Sequence, residues 1–519
     1  MNGADSLCTT LLDNDVDVCF ANPGTSEMHF VAALDRQPRM RCVLGVFEGV
    51  VTGAADGYAR MMGKPAATLL HTGPGLANGL ANLHNARRAR SPIVNVVGDH
   101  ASYHLALDAP LTSDIDSLAR PMSHWVRRAA SADTVGRDTA DAIAVAREGK
   151  VATLVLPADT AWTETRNTAR VPAASDAPAD MPAAREIARA AQSLRNGRRT
   201  TLMLGFGALT EAGLATAGRI AQATGARLLA ATSNPRMARG VGRVPIERLP
   251  YPVDAAVAKL KEVEQLILIG PTEPVGFFAY PGKPGRLAPE GCDVHALATA
   301  DHALEDTLQA LAEALRIPAD RPTGATPGRH LPDMPAAGRL TVQTANAVVA
   351  RLLPENAIVV DESVTSGASF FPLAQGAPAH DHLQLTGGAI GLGMPMATGA
   401  SVACPERRVV NLQADGSGLY TVQALWTQAR ERLNVVTIVY ANHAYNILRG
   451  EMAQVGGGEP GENARRLLML DDPCVDWVGV ARGFGVQAER ADTVERLADV
   501  LAAALAGNGP FLIQADIAS

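Results

Sequence analysis

Short runs of branched apolar residues alternate along this chain with longer, alanine-rich stretches of mixed polarity. The runs have the length and composition of buried β-strands, and several of the stretches between them repeat apolar positions at helical spacing. Strands that alternate with helices predict parallel sheets covered by helices on both faces. The predicted strands include residues 67–70, 93–97, 153–156, 201–204, 266–269, 357–360, 409–413 and 435–440.

Two segments interrupt this alternation and predict linkers. Residues 163–182 are rich in Ala, Pro, Asp and Thr without a sustained period, and residues 317–338 are rich in proline and glycine. We therefore predict an α/β protein of three consecutive doubly wound parallel-sheet domains, at residues 1–165, 183–316 and 339–519. The first and third share a pattern of strand, glycine-rich turn and small-residue helix, which indicates two related domains that face each other.

Composition narrows the class of protein. The chain has 519 residues, of which 47% are hydrophobic and 19% charged, as in globular proteins with large cores. Its net charge of −7, without a basic block, argues against a nucleic-acid partner. It has neither a membrane-length apolar run nor a signal-peptide pattern, and its six cysteines form no CxxC pair. We expect a cytoplasmic protein with no membrane contact.

Two predicted strand ends carry groups that suit a cation. Asp415 and Asn442 each follow a predicted strand, and residues 419–430 between the strands have helical spacing. The two loops of such a unit emerge at the same, carboxyl edge of a parallel sheet, so the two side chains can converge. Carboxylate and amide oxygens suit Mg²⁺, and the N–H groups after Ser417 suit an anion. An ordinary turn capped by Asp and Asn is the alternative.

A predicted helix at residues 47–60 contains an unusual number of small residues. Each glycine weakens a helix by about 1 kcal/mol relative to alanine, so several of them indicate close packing. Glu48 opens this helix amid apolar residues. Burying an ionised carboxyl is costly, and a buried glutamate that can hold a proton suits proton transfer near neutral pH. Alternatively, Glu48 only interacts with the helix dipole.

The C-terminal pattern resembles the diphosphate-binding motif of thiamin diphosphate (ThDP) enzymes. Asp415-Gly-Ser is followed 27 residues later by Asn442, as in that motif. Two positions depart from it: Ala414 replaces the usual Gly, and Ala441 replaces the first residue of the usual Asn-Asn pair. Both residues expected to bind the metal are retained.

The N-terminal third resembles the pyrimidine-binding domain of the same enzymes. The resemblance rests on residues 20–25, on Glu48 with residues 54–60, and on residues 71–75. It covers essentially the whole chain and is greatest for the subgroup of acetolactate synthase, benzoylformate decarboxylase and related 2-oxoacid decarboxylases and carboligases. It therefore implies a pyrimidine-binding, a middle and a diphosphate-binding domain.

The resemblance implies ThDP and Mg²⁺ as cofactors, with a role for each matching residue. Glu48 would hydrogen-bond the aminopyrimidine ring and promote the tautomer that removes the thiazolium C2 proton. Thr365 is expected to contact the diphosphate, but it could also cap a helix. Ile390 is expected to hold the cofactor in its bent shape, with Met394 as the less favoured candidate for that role. Both Ile390 and Met394 could also be plain core residues. The residues expected to hold the cofactor are Glu48, Thr365, Ile390, Gly416, Ser417, Asn442 and Tyr445, and those expected to bind Mg²⁺ are Asp415, Asn442 and the carbonyl of Ala444.

Three further residues are expected at the reacting centre. His71 ends an apolar strand and matches a histidine of the decarboxylase branch, where it can relay protons near neutral pH. It could also be structural. Thr25 stands where benzoylformate decarboxylase has a substrate-contacting serine, and Asn22 lies in the same loop.

The chain departs from its subgroup in the middle domain. Residues 274–281 match a region that supplies a second catalytic histidine, but they contain none. The Arg-Phe-Asp-Asp run of FAD-binding acetolactate synthases is also missing, so we do not expect FAD. The Ile447-Leu448 pair favours an apolar substrate group.

We predict a ThDP- and Mg²⁺-dependent enzyme that acts on a 2-oxoacid, by decarboxylation or by passing the acyl anion to an aldehyde or 2-oxoacid acceptor. The alternative is a catalytically silent ThDP-binding paralogue or a regulatory partner of such an enzyme. A nucleotide-binding protein ranks last, because no Gly-x-Gly-x-x-Gly follows a strand with a suitably placed acidic residue. The resemblance also implies a homodimer or homotetramer with active sites between chains.

Overall fold

The computed structural model of the protein describes residues 1–170, 180–324, 326 and 328–517. Residues 171–179 of the first predicted linker, and positions 325 and 327 of the second, lie outside the described residues. Among the helices that are described, none is long and apolar enough to cross a membrane.

The N-terminal part forms a six-stranded parallel sheet with the order β2-β1-β3-β4-β6-β5. Its central strands are buried along their whole length, as expected for parallel strands covered on both faces. The strands are β1 (Val18–Asn22), β2 (Arg41–Leu44), β3 (Ala66–Leu70), β4 (Ile93–Asp99), β5 (Trp125–Arg128) and β6 (Val151–Pro157). The helices are α1 (Gly3–Asp13), α2 (Met28–Asp35), α3 (Glu48–Met62), α4 (Thr72–Ala89), α5 (Ile115–Ala119), α6 (Ala132–Arg147) and α7 (Ala158–Trp162).

The middle part forms a five-stranded parallel sheet with the order β10-β8-β7-β11-β12. The strands of this part of the chain are β7 (Thr200–Leu204), β8 (Arg227–Ala230), β9 (Met237–Arg239), β10 (Glu247–Arg248), β11 (Gln265–Gly270) and β12 (Asp293–Thr299). The helices are α8 (Ala184–Ser193), α9 (Glu211–Thr224), α10 (Val253–Leu260) and α11 (Leu304–Ala314). Strand β9 leaves this sheet and joins the third one.

The C-terminal part forms a seven-stranded sheet with the order β17-β18-β16-β15-β13-β14-β9, parallel except for β9. Its own strands are β13 (Ile358–Glu362), β14 (His380–Gln384), β15 (Val409–Ala414), β16 (Val435–Ala441), β17 (Gln487–Ala491) and β18 (Phe511–Asp516). The helices are α12 (Val342–Leu352), α13 (Phe370–Leu373), α14 (Gly393–Ala403), α15 (Asp415–Gly418), α16 (Ala424–Glu431), α17 (Asn446–Gln454), α18 (Glu462–Leu468), α19 (Trp477–Gly483) and α20 (Val494–Ala506).

The first and third sheets share one strand order. The sequence β2-β1-β3-β4-β6-β5 recurs as β14-β13-β15-β16-β18-β17. In this correspondence β2, which precedes α3, matches β14, which precedes α14. The shared topology supports the expectation of two related domains.

The two matching helices, α3 and α14, pack directly on each other within one chain. A Cβ at Gly399 would lie 1.8 Å from the carbonyl oxygen of Ala54, and a Cβ at Gly57 would lie 2.1 Å from that of Met396. The helix backbones therefore touch, and only glycine fits at these two positions. This contact explains the small residues that the sequence shows in α3.

The predicted helix at residues 419–430 is wrong in its first half, because α16 begins only at Ala424. Before it, α15 is a single turn, and residues 419–423 leave the helical path. The Thr421 hydroxyl donates to the Gly391 carbonyl at 2.8 Å, which holds this segment against another loop. The apolar spacing of the segment reflected burial rather than a continuous helix.

Phe371 of the C-terminal part joins the middle part through two arginines. The guanidinium carbon of Arg239 lies 3.3 Å from the centre of the Phe371 ring, and that of Arg248 lies 4.3 Å from it. Desolvated cation–π contacts contribute about 2 kcal/mol each. Burying an unpaired ion costs several kcal/mol, so these contacts do not offset the cost of burying both charges.

Candidate active site

The loops after β15 and β16 bring Asp415 and Asn442 to one edge of the C-terminal sheet. Adjacent strand ends pair Ala414 with Tyr440. One Asp415 oxygen accepts the Gly416 N–H at 2.9 Å, and the other accepts the N–H of His443 at 2.6 Å. The Asn442 side-chain oxygen accepts the N–H of Ala444 at 3.0 Å. The two predicted metal ligands therefore share one edge, and the Ala444 backbone is in the same turn.

Asp415 is a buried carboxylate with only backbone donors. Burial raises its pKa, against the effect of the N–H groups of His443 and Gly416. An ionised carboxylate in such a place requires a compensating positive charge. A hard cation bound through Asp415, Asn442 and a backbone carbonyl would supply it, and these are oxygen ligands of the kind that Mg²⁺ prefers. The described residues contain no group of three or more His, Cys, Asp or Glu side chains that could hold a metal instead.

The short helix after Asp415 is fixed by its surroundings. A Cβ at Gly416 would lie 2.4 Å from the Tyr445 ring, so the ring covers the backbone there. The Ser417 hydroxyl accepts from the Gln413 amide at 2.6 Å and donates to the Ala414 carbonyl at 3.2 Å. Because this hydroxyl and the Gly416 N–H are already bonded inside the protein, the backbone N–H groups from Ser417 onward are the candidate donors for an anion.

Glu362, at the end of β13, joins three loops of the site, and sequence reasoning missed its role. Its carboxylate accepts the N–H groups of Gly391, Leu392 and Gly393, each at 2.9 Å. Gln413, which also bonds Ser417, donates to the same carboxylate at 2.9 Å. Burial raises the pKa of Glu362, against the effect of these donors. The available signal was an acidic residue two positions after the predicted strand of residues 357–360.

The loop of residues 386–392, which carries Ile390, is held by side chains of α4. The His84 ring lies 3.1 Å from the Gly387 carbonyl, and the Asn85 amide donates to the Ala389 carbonyl at 2.7 Å. Ile390 itself is half-buried, whereas Met394, the less favoured choice, is fully buried in the core. The structure thus leaves Ile390 accessible beside the site.

Glu48 begins α3 and is half-buried. Its side chain accepts from the Asn78 amide at 3.0 Å. The link to the C-terminal part is Asn82, whose amide donates to the Gly49 carbonyl at 2.8 Å and to the Gly391 carbonyl at 3.1 Å. Glu48 therefore lies next to the loop that carries Ile390, and both belong to the same chain.

His71 forms a pair with Glu27, a residue that sequence reasoning missed. Its Nδ1 atom lies 2.8 Å from Oε2 of Glu27, and the Glu27 side chain is fully buried. Because an ionised carboxylate only accepts, Nδ1 carries the proton and Nε2 is left free of hydrogen bonds within the described chain. The Ser26 hydroxyl lies 3.2 Å from the same Nδ1 and donates to Glu27. The Asn-Pro-Gly-Thr-Ser-Glu run could have pointed to Glu27.

The remaining predicted residues take different positions. Thr25 is exposed, and Ser26 rather than Thr25 is the hydroxyl beside His71. Asn22 is half-buried at the end of β1. Thr365 is exposed after Val364, which has a φ of 52°. The Thr365 hydroxyl makes no hydrogen bond to any described residue, so it does not cap a helix.

The middle part reaches the site through Phe277. Its ring contacts Gly388, where a Cβ would lie 2.6 Å from the ring. The hydroxyl groups of Tyr251 and Tyr280 donate to the Glu451 carboxylate of α17, at 3.1 and 2.7 Å. The segment that lacks the second histidine thus places an aromatic ring on the loop of Ile390.

Chemically, the arrangement combines side-chain oxygens that suit a cation, a half-buried glutamate beside a rigid loop, and an imidazole oriented by a buried carboxylate. The first can hold an anionic group through a metal. The other two can exchange protons with a bound molecule.

Comparison with known proteins extends these observations. Two family models match: "Thiamine pyrophosphate enzyme, N-terminal TPP binding domain" over residues 1–119, and "Thiamine pyrophosphate enzyme, C-terminal TPP binding domain" over residues 364–515. A protein of Mycobacterium tuberculosis with the provisional name acetolactate synthase large subunit IlvX is 53% identical, over 100% of this chain and 99% of that protein. The benzoylformate decarboxylase of Pseudomonas aeruginosa is 30% identical, over 95% of each chain.

A solved structure shows the same likeness in three dimensions. The ThDP-dependent 4-hydroxybenzoylformate decarboxylase of Rhodococcus jostii RHA1 superposes with a TM-score of 0.84 at 25% identity, over 100% of this chain and 99% of that one.

Proposed function

Because the chain belongs to the thiamine pyrophosphate enzyme family, we propose that it is a ThDP- and Mg²⁺-dependent enzyme that acts on a 2-oxoacid. It either decarboxylates the acid and releases an aldehyde, or passes the acyl anion to an aldehyde or 2-oxoacid acceptor. The observation that carries this proposal is the double hydrogen bond of Asn82, which ties Gly49, next to Glu48, to Gly391, next to Ile390.

The residues present fit the implied cofactor. Asp415 is a buried carboxylate whose pKa is raised by burial, so a bound cation would favour its ionised form, and the Tyr445 ring lies against Gly416 in the adjoining turn. Asp415, Asn442 and the Ala444 carbonyl would hold Mg²⁺, and the turn of Gly416 and Ser417, with Tyr445 and Thr365, would hold the diphosphate. Bound there, ThDP would supply the nucleophilic carbon and the electron sink that 2-oxoacid chemistry requires.

Each catalytic residue has a task that its contacts support. Glu48, steadied by Asn78, holds or releases a proton at its carboxyl group. His71, with Nδ1 held by Glu27, presents Nε2 as its second proton-exchanging atom. Thr25 and Asn22 lie in the loop next to this pair and remain candidates for substrate contact. The loop of residues 386–392 needs no reorganisation to present Ile390, because hydrogen bonds already fix its carbonyl groups.

Two observations bear on the substrate. Phe277 occupies the segment where a second histidine was missing, and His71, oriented by Glu27, is our candidate for protonation steps. Relatives named for benzoylformate and 4-hydroxybenzoylformate act on aromatic 2-oxoacids. An apolar or aromatic 2-oxoacid is therefore the first substrate to test, with pyruvate as the alternative that the acetolactate synthase names suggest. We do not expect FAD.

The experiment that tests this proposal is a panel of 2-oxoacids, with and without an acceptor aldehyde or pyruvate. CO₂ release is measured with ThDP and Mg²⁺ present, and Glu48→Gln is the matched control. Turnover that needs both cofactors and falls at least about a hundredfold in the variant supports the proposal. Equal rates for the two proteins would remove Glu48 from its role.

The second candidate is a catalytically silent ThDP-binding paralogue or regulatory partner. It predicts that ThDP and Mg²⁺ bind, as measured by calorimetry, while no member of the panel turns over. The intact Glu48–Asn78 and His71–Glu27 contacts favour the enzyme, because a silent protein does not need them.

For assembly and location we propose a cytoplasmic homodimer or homotetramer. The described contacts already join the N- and C-terminal parts within one chain through α3 and α14. In an active site formed between two chains, residues of a second chain would pack against these parts. Measuring the oligomeric state in solution tests whether such a dimer or tetramer forms.

A further inference from the structure

Two arginines meet at the boundary between the middle and C-terminal parts, away from the site described above. Arg239 ends β9 and Arg248 ends β10, and both guanidinium groups contact the ring of Phe371. Arg239 is only 5% exposed, and Arg248 is half-buried. Two like charges thus share one aromatic ring in a place largely hidden from water.

Neither guanidinium has a carboxylate partner. Within the described residues, the side chains of Arg239 and Arg248 make no ion pair at 4.0 Å or less and donate no hydrogen bond. The Nη1 atom of Arg239 is buried without any acceptor. Guanidinium groups stay protonated in proteins, so this is a buried charge with unused donors.

Other arginines in the same region have carboxylate partners, so the lack of one at Arg239 and Arg248 is unusual. Arg236 donates to both oxygens of Asp381, at 2.9 and 3.2 Å, and Arg407 donates to the same carboxylate at 2.7 Å. Arg243 donates to Glu211 at 3.1 Å and to two backbone carbonyls. The missing partners of Arg239 and Arg248 are therefore specific to that pair.

The surrounding polar groups do not supply the missing charge. Asp361, the acidic group whose charge acts on both arginines, accepts from Ser363 and lies 3.4 Å from the Nε2 atom of His382. His380 and His382 are fully buried, His380 Nε2 and His382 Nδ1 have no hydrogen-bond partner, and His382 Nε2 has only its 3.4 Å contact with Asp361. Two cations thus face one anion among groups that have unused hydrogen-bonding capacity.

The geometry points to a binding site for a small inorganic anion, which we propose lies beside Arg239 and Arg248. An anion there would neutralise the excess positive charge and accept from the free guanidinium donors, as charge-assisted hydrogen bonds do elsewhere. A cavity of about 10 Å³ lies beside Arg239 and is also lined by Arg243 and Gln375; Arg248 approaches Arg239 through the shared Phe371 ring and does not line this cavity. That volume holds one water-sized particle, so the occupant is a chloride-sized ion or one oxygen of a phosphate.

The first test measures the thermal unfolding midpoint of the full chain with chloride or phosphate replacing gluconate at constant ionic strength. The midpoint should rise with the bound anion, and the apparent affinity should fall about tenfold or more in Arg239→Met and Arg248→Met. Arg36→Met, which removes an exposed guanidinium bonded to Asp5, is the matched control and should keep the response. A response to chloride identifies a halide-sized site, and a response to phosphate alone identifies an oxyanion site.

The second test does not depend on the variants folding. Crystals of the wild-type protein soaked in bromide should show an anomalous peak next to the Arg239 guanidinium if the site takes halides. The proposal is overturned if neither anion shifts the midpoint of the wild-type protein, or if both methionine variants keep the full shift. A phosphate response without a phosphate peak at this position would overturn it as well.

Discussion

The Nδ1 atom of His71 lies 2.8 Å from Oε2 of Glu27, a carboxylate that is entirely shielded from solvent. The same carboxylate accepts the N–H of Gly24 at 2.8 Å, which fixes its direction. This pair sets which nitrogen of the imidazole carries the proton and leaves Nε2 without a hydrogen bond to any described residue.

Glu27→Gln should lower kcat by about a hundredfold while leaving ThDP affinity unchanged, because it replaces the charged carboxylate that orients the imidazole with a neutral amide but touches no cofactor residue. Steady-state kinetics and cofactor titration measure the two effects, and the pH profile of kcat should move. Ser26→Ala is the control, since it removes the longer contact to the same nitrogen and one donor to Glu27 but keeps the Glu27 carboxylate, and should cost about tenfold or less. Equal losses in both variants would contradict the role of Glu27.

Mg²⁺ binding should depend on pH through Asp415. Burial raises the pKa of this carboxyl, and the metal binds only its ionised form, so affinity should begin to fall at a higher pH than for an exposed aspartate. The stability of the metal-free protein should depend on pH in the opposite direction. The native state holds the Asp415 proton more tightly than the unfolded state, so stability falls as pH rises through the raised pKa. Calorimetry with Mg²⁺ at several pH values, with Asp415→Asn as control, measures this. A constant affinity down to the pKa of free aspartate would refute it.

Mixing two inactive variants should reveal whether the site spans two chains. In a dimer of Glu48→Gln and Asp415→Ala chains, a site built from both chains leaves one of two sites intact. Co-expression should then restore about a quarter of the wild-type activity, because half of the dimers are mixed. A site contained in one chain gives no restoration. Each variant expressed alone is the control.

Gly399→Ala should destabilise the protein by about 3 kcal/mol or more, because its Cβ would overlap the Ala54 carbonyl and separate α3 from α14. Gly483→Ala is the matched control: it also lies in a helix, α19, but its Cβ would meet no atom within 4 Å. Denaturant unfolding of both variants measures the difference. Similar stabilities would show that the two helices are not in close contact.

Acid should destabilise the C-terminal sheet through two buried histidines. Burial lowers the pKa of His380 to about 3 and that of His382 to about 4, with Arg239 adding to the shift and Asp361 opposing it for His382. Unfolded histidine has a pKa near 6.5, so stability is full above that value and is lost as pH falls below it, by about 2 kcal/mol for each histidine at pH 5.

Denaturant unfolding at pH 7.5 and pH 5 tests this expectation. His382→Leu should reduce the difference between the two pH values, and the same substitution at the exposed His330 should not. An unchanged difference in His382→Leu would contradict the assignment.

The sequence located the strands of the site well, because central parallel strands are apolar along their whole length. The predicted strands 409–413 and 435–440 fall within β15 and β16. The predicted helix of residues 47–60 coincides with α3 except at its two ends. The positions of apolar residues along the chain directly indicate which strands and helix faces are buried.

The missed features depend on contacts between distant segments. The helix predicted from residue 419 starts late because Thr421 bonds Gly391, 30 residues earlier. Glu27 and Glu362 gain their roles from His71 and from the loop of Gly391, which no local pattern contains. The glycines of α3 indicated that this helix packs closely against another element. The sequence did not identify that element as α14 of the C-terminal part.

The hydrogen bonds that fix the loop of Ile390 join residues more than 300 positions apart. During synthesis, α3 and α4 therefore leave the ribosome long before their counterpart exists. Until about residue 400 emerges, the glycine face of α3 lacks the helix that covers it in the folded chain, and exposed surfaces of this kind are prone to misassembly.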